Sequence, residues 1–116
     1  MDNCLFCKII SKKIPAEIIY EDNEIIAFKD VHPLAPIHIL IIPKRHITSV
    51  IDLTEGDTEL MGKIILTAKK IADRLGISKD GYKLLFRVGN YGGQEIDHIH
   101  LHLLGGAKLA ENIHPV

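Results

Sequence analysis

Apolar residues recur along this chain with two different periods, and the changes between them mark out its elements. CLFCKIIS at 4–11 suits a short helix that must end before Pro15, whose ring cannot sit in a helix interior. EIIYED at 17–22 and EIIAFKD at 24–30 read as two short strands joined by a tight turn at Asp22-Asn23. VHPLAP at 31–36 is a loop, because two prolines break any ladder, and the β-branched run IHILIIP at 37–43 is a central strand. From Asp57 to Leu75 the period lengthens: Leu60, Ile64, Ala68, Ile71 and Leu75 recur every three or four residues, with Lys63, Lys69, Lys70 and Asp73 mostly opposite. Asp57 can cap that long helix and Gly76 can end it. YKLLFRV at 82–88 and HIHLHLL at 98–104 restore the strand period. Strands, one long helix, then strands again predict an α+β fold with a five-stranded, mainly antiparallel sheet.

Composition narrows the partners. The 116 residues suffice for one domain spanning 1–116 and for a core that needs no disulfides. A formal charge of −1 offers no basic field for a nucleic-acid backbone, although a small phosphate compound remains a fitting ligand. No apolar run approaches the ~18 residues that span a bilayer, and MDNCLFCKIISKK does not read as a secretory signal. Two cysteines three residues apart exclude a disulfide framework, so a reducing, cytoplasmic setting is expected.

The segment HIHLHLLGG at 98–106 carries the chemistry. Successive strand residues face opposite ways, so His98, His100 and His102 share one face about 6.5–7 Å apart, and Ile99, Leu101 and Leu103 take the face beneath the long helix. Two functional readings of such a row stand open. Alternate histidines can bind zinc with an open site for water. Alternatively, one imidazole is a nucleophile and its neighbours orient or protonate. A neutral imidazole at ordinary pH can attack phosphorus without a separate strong base. The preceding GNYGGQEID, residues 89–97, adds Gly89, Gly92 and Gly93, which let backbone N–H groups approach an anion. A phosphate compound explains both features, zinc hydrolysis only the first.

Cys4 and Cys7 form a C-x-x-C pair with no preceding strand for a thioredoxin-like site. They read as half of a structural zinc site, which needs two further ligands that composition cannot choose, or as two free thiols.

GGQEIDHIHLHLLGG resembles the signature of the histidine triad (HIT) family, in which three histidines alternate with apolar residues. CLFCKIISKKIPAEIIYED and FKDVHPLAPIHILIIPKRHI also resemble the Hint branch, in order and spacing. The resemblance implies a HIT-like sheet joined to its copy across a homodimer, and a nucleoside phosphoramidase; no magnesium motif is evident in the sequence, so no magnesium requirement is expected. It implies that His100 attacks the α-phosphorus of a nucleoside 5′-phosphoramidate or related adenylate, forming a nucleotidyl-histidine that water hydrolyses to the nucleoside monophosphate. His102 would hold or protonate groups at the phosphate, and His38 would approach both phosphate and nucleophile. Asp30 would bond the ribose hydroxyls, Phe28 and Val31 would wall the base, and Arg87, Gly93, Gln94 and Glu95 would lie along the nucleotide. It also completes a structural zinc site, Cys4, Cys7, His46 and His98.

Arg87, Glu95 and Asp97 depart from the Hint pattern, which leaves the favoured leaving amine open, and the tail through His114 and Pro115 could shape that side. Two other functions compete: a nucleotide-binding adaptor with incidental catalysis, and a dinucleoside polyphosphate hydrolase. A metallohydrolase with zinc on the triad itself is a third, opposed by the strain of taking three ligands from one strand.

Overall fold

A computed structural model describes residues 3–116. The first cysteine starts the first element: Cys4 caps helix α1 (Leu5–Ile10), its Sγ accepting the Cys7 N–H at 3.3 Å. Strands β1 (Ile18–Glu21) and β2 (Ile25–Lys29) follow, joined by a turn in which Asp22 Oδ1 accepts the Glu24 and Ile25 N–H groups. Such a short side chain mimics a backbone turn, which explains why the hairpin closes at Asp22-Asn23. Strand β3 (Ile37–Pro43), helix α2 (Thr58–Arg74), β4 (Lys83–Phe86) and β5 (Leu101–Gly105) complete the chain. The sheet order is β1-β2-β3-β5-β4 with every pair antiparallel, so the strand bearing the histidines lies inside the sheet.

Strand alternation gives the sheet two apolar faces. Ile25, Ala27, Ile39, Ile41, Leu101 and Leu103 pack against Ile64, Ala68 and Ile71 of α2. Ile26, Phe28, Leu40 and Ile42 pack instead beneath Phe6 and Ile9 of α1. The α1 face also carries the histidines, since Leu40 lies opposite His102.

The ends of α2 differ in how they are made. Gly76, at φ +76°, closes a Schellman turn: Ile77 N–H reaches Ala72 O at 3.1 Å and Gly76 N–H reaches Asp73 O at 3.2 Å. Asp57 stands at the N-cap position but makes no cap bond to α2; its carboxylate takes the Thr54 N–H at 2.9 Å and pairs with Arg45. The Thr54 bond and the Arg45 guanidinium hold that carboxyl below its ordinary range.

The last strand departs from the expected 98–104. It begins at Leu101 because its partner runs out: the register that pairs Ile41 with Leu101 would set Ile99 opposite Pro43, which has no N–H to give. Ile99 N–H turns to Ile47 O at 2.7 Å instead. The strand predicted at 82–88 is likewise shorter, Lys83–Phe86.

Candidate active site

Because the ladder stops at Leu101, the three histidines of the row do different things. His98 Nε2 donates to Pro43 O at 2.8 Å, and His100 Nδ1 donates to His98 O at 2.7 Å. Neutral His100 therefore keeps its lone pair on Nε2. His102 joins His38 from β3, the two rings meeting at 2.9 Å between His38 Nε2 and His102 Nδ1.

A backbone group decides the direction of that bond. Leu34 N–H donates to His38 Nδ1 at 3.1 Å, which makes Nδ1 an acceptor and leaves the proton on Nε2. His38 Nε2 then donates to His102 Nδ1, with Asp30 Oδ2 3.5 Å away. His102 in turn carries its proton on Nε2, which is buried and has no partner among the described residues. A backbone amide thus sets the protons of two side chains and presents an unused N–H to the cavity.

All four rings are neutral at ordinary pH. Burial pushes His102 down to about 3, with His100, His38 and Arg87 adding repulsion, and takes His98 to about 4. His38 and His100 are lowered by burial as well, against the pull of Asp30. Asp30, His38 and His102 lie close enough to hold a metal. The Leu34 bond opposes that use, since a metal on His38 Nε2 would require an imidazolate, so His38 and His102 stand as a hydrogen-bonded pair with the Asp30 carboxylate beside them.

His38, His100 and His102 line a cavity of about 460 Å³. At one end Leu5, Phe6 and Ile9 of α1 face Phe28, Asp30 and Val31; at the other stand Arg87, Gly93 and Glu95. Phe6 touches Phe28 edge-on at 5.3 Å and His100 at 5.1 Å, so the α1 wall is continuous with the triad. The glycine loop is held from behind. Gln94, expected along the nucleotide, instead donates through Nε2 to Thr48 O and Ile96 O at 2.7 and 3.0 Å, while its Oε1 accepts the Gly89 N–H. Gly93 N–H is spent on Asn90 O, whereas the N–H of Glu95, a residue of the cavity wall, has no partner among the described residues.

Cys4, Cys7, His46 and His98 form a second cluster whose donor atoms all lie within 4.8 Å of one another. Cys4 Sγ and Cys7 Sγ stand 3.4 and 3.6 Å from His98 Nδ1, and Cys7 Sγ stands 3.3 Å from His46 Nδ1. Zinc bonds of 2.3 Å to sulfur and 2.0–2.1 Å to nitrogen, at tetrahedral angles, put S and N about 3.6 Å apart, so the spacing fits that ion. The Pro43 bond holds the His98 lone pair on Nδ1, toward the thiols, in the way an outer carbonyl orients a ligand histidine. With no cation beside it, the Cys7 thiol is pushed up to about 11 by burial and by Cys4. A thiol that resists ionising alone suits a site that a divalent cation completes.

A family model for the HIT domain matches residues 11–109, which is most of the chain. This protein belongs to the HIT family. Protein HitA of Neisseria gonorrhoeae is 47% identical over 105 residues, covering 90% of this chain and 97% of its own. The purine nucleoside phosphoramidase of Escherichia coli (strain K12) is 45% identical over 108 residues, covering 93% and 91%. A crystal structure of a HIT family hydrolase from Legionella pneumophila Philadelphia 1 superposes with a TM-score of 0.93 at 51% identity, covering 95% of this chain and 98% of that one.

Within this HIT chain the sequence reading missed what acts through the backbone. The Leu34 amide and the Pro43 carbonyl carry no signal in residue identity. The apolar wall from α1, with its buried Phe6 and Ile9, shows in the sequence only as a short helix.

Proposed function

We propose that this HIT-family hydrolase cleaves nucleoside 5′-phosphoramidates or related adenylates through a covalent His100 intermediate. The observation that carries the reading is a pair of atoms: an imidazole lone pair on His100 Nε2 and an unpartnered, buried N–H on His102 Nε2, from two residues lining one cavity. A buried donor without a partner awaits an acceptor, and a phosphoryl oxygen supplies it. The similarity to the E. coli purine nucleoside phosphoramidase supports the same substrate class. An adaptor that merely held the nucleotide would have no use for that lone pair.

In this reading the base lies against Phe28, Val31 and the α1 wall, and Asp30 accepts the ribose hydroxyls. The His102 N–H and the Glu95 backbone N–H hold phosphoryl oxygens where charge grows in the transition state. His38 keeps His102 in its donating form. His100 Nε2 forms a bond to phosphorus as the P–N bond breaks, and the amine leaves after taking a proton at the open mouth of the cavity. Water then attacks phosphorus on the same axis, the P–Nε2 bond breaks, and the nucleoside monophosphate departs with the ring restored.

The Cys4, Cys7, His46 and His98 cluster holds a structural zinc, which ties α1 to the segment carrying the nucleophile. A homodimer is supported by exposed Ile65 and Leu66 on α2 and Leu84 on the unpaired edge strand β4, exposed by 48, 57 and 36%. Among the described residues no helix is long and apolar enough to cross a membrane, and Cys4 and Cys7 form no disulfide, which suits a reducing compartment.

Hydrolysis of adenosine 5′-phosphoramidate by the wild type and by His100→Ala, each with and without chelator, tests the reading. We expect His100→Ala to lose about 10³-fold or more in kcat, and the wild type to keep turning over substrate with chelator present. An inactive wild type, or an activity that chelator stops and His100→Ala retains, would overturn it.

A further inference from the structure

Two buried side-chain nitrogens lack a hydrogen-bond partner among the described residues, and both belong to this cavity. One is His102 Nε2, which the phosphoryl group satisfies. The other is Arg87 Nε, and it calls for a second anion.

The sheet shows where Arg87 stands relative to the reacting centre. The register that pairs Leu85 with His102 and Phe86 with Leu101 carries Arg87 to a position beside His100, just beyond the end of the ladder. Arg87 thus follows the edge strand, whereas Phe28 and Asp30 belong to β2 and the loop after it, on the other side of β3 and β5. Three strand spacings separate the two ends, about 14 Å across the sheet. With the nucleoside on the β2 side and phosphorus over His100 and His102, the group leaving phosphorus extends toward β4.

Charge at that end is lopsided in a useful way. Arg87 makes no ion pair among the described residues, whereas Lys29, which also lines the cavity, is paired with Glu17 at 2.8 Å. Arg87 is thus an unpaired cation of the cavity among the described residues. Glu95 is the acid of the same end, yet it does not pair with Arg87. The guanidinium rests against the glycine loop, Nη1 lying 3.6 Å from where a Cβ on Gly93 would be. A Cβ there would only touch the fork, so it is the left-handed backbone at φ +79° that calls for glycine.

We propose that Arg87 is a specificity residue that selects substrates whose leaving group carries an anion, a carboxylate or a phosphate. A planar fork pairs with either in two parallel bonds, which a neutral leaving group cannot return. The inference rests on the phosphoramidase reading and names the substrate class within it.

The test is a pair of ratios. The carboxylate arm compares kcat/KM for the adenosine 5′-phosphoramidate of alanine with that for its methyl ester. The phosphate arm compares the phosphoramidates of O-phosphoethanolamine and ethanolamine. In the wild type we expect the charged member to be favoured about tenfold or more in at least one arm, and that arm names the anion. Arg87→Gln should bring the ratio near one whatever the absolute rates, and Arg87→Glu should invert it. Wild-type ratios near one in both arms, or ratios that survive Arg87→Gln, would overturn the proposal. So would equal losses on both members of each pair with the ratio kept, which would place Arg87 on the α-phosphate. If the wild type turns over none of the four and calorimetry shows no binding of adenosine monophosphate, the underlying reading has failed. Turnover of all four without preference sinks the Arg87 proposal alone.

Discussion

At the scale of single residues, the proton of His102 follows from a neighbouring ring and, through it, from a backbone amide. His102 depends on His38, and His38 on a backbone N–H. If the His102 N–H serves the phosphoryl oxygen, the donor matters more than the ring. His102→Gln keeps an N–H and should retain about tenfold more kcat than His102→Phe, which fills the space without one. The same burial shapes acid stability. A histidine whose folded pKa lies below its ordinary 6.5 adds full stability above that value and loses it as pH falls toward the folded one, because the unfolded chain binds the proton first. The melting temperature should therefore fall as pH drops below about 6.5, and the fall should be shallower in His102→Gln. An equally steep fall in that variant would show that other groups carry the dependence.

At the scale of elements, two glycines separate strain from collision. Gly76 lies in the left-handed region with open space around its Cβ position, so Gly76→Ala should cost about 1 kcal/mol by denaturant titration and leave activity alone. Gly92 is different: a Cβ there would lie 2.3 Å from Val88 O, a backbone atom that cannot swing aside. Gly92→Ala should move the whole 89–96 loop and lower kcat/KM more than it lowers stability. Gln94 belongs to the same argument. Its three bonds anchor the loop from behind, so Gln94→Ala should weaken nucleotide binding although its side chain is not part of the cavity wall.

At the scale of the whole molecule, the cysteine–histidine cluster ties the amino end to the centre of the sheet. Phe6 bridges the two sites, edge-on to His98 at 6.0 Å and to His100 at 5.1 Å. A metal bound there stabilises the fold by mass action, so chelation, or Cys4→Ser with Cys7→Ser, should lower the melting temperature. An unchanged melting temperature would argue for two free thiols. Sedimentation tests the dimer: Leu84→Glu on the open edge of β4 should yield a monomer if sheets join there.

Residue order alone settled much of this protein. Period-two runs ending at prolines and glycines, and one period-3.6 run ending at Gly76, produced the five strands, the long helix and the antiparallel class, since burial of one face imposes those periods. Alternation likewise set His100 and His102 on the face opposite Leu101 and Leu103, and the triad motif named the family. What lay beyond the sequence depends on pairs distant along the chain. The absence of an N–H on Pro43 ends the ladder and lets His98 turn toward Cys4 and Cys7, 94 and 91 residues away. Leu34 fixes a tautomer through an atom every residue but proline shares. Gln94 shows its anchoring bonds to Thr48, Gly89 and Ile96, and Arg87 its unpartnered Nε beside His100, only in the folded chain. Periodicity records which way a side chain faces, whereas a hydrogen-bond partner or a missing counter-charge exists only once distant segments meet.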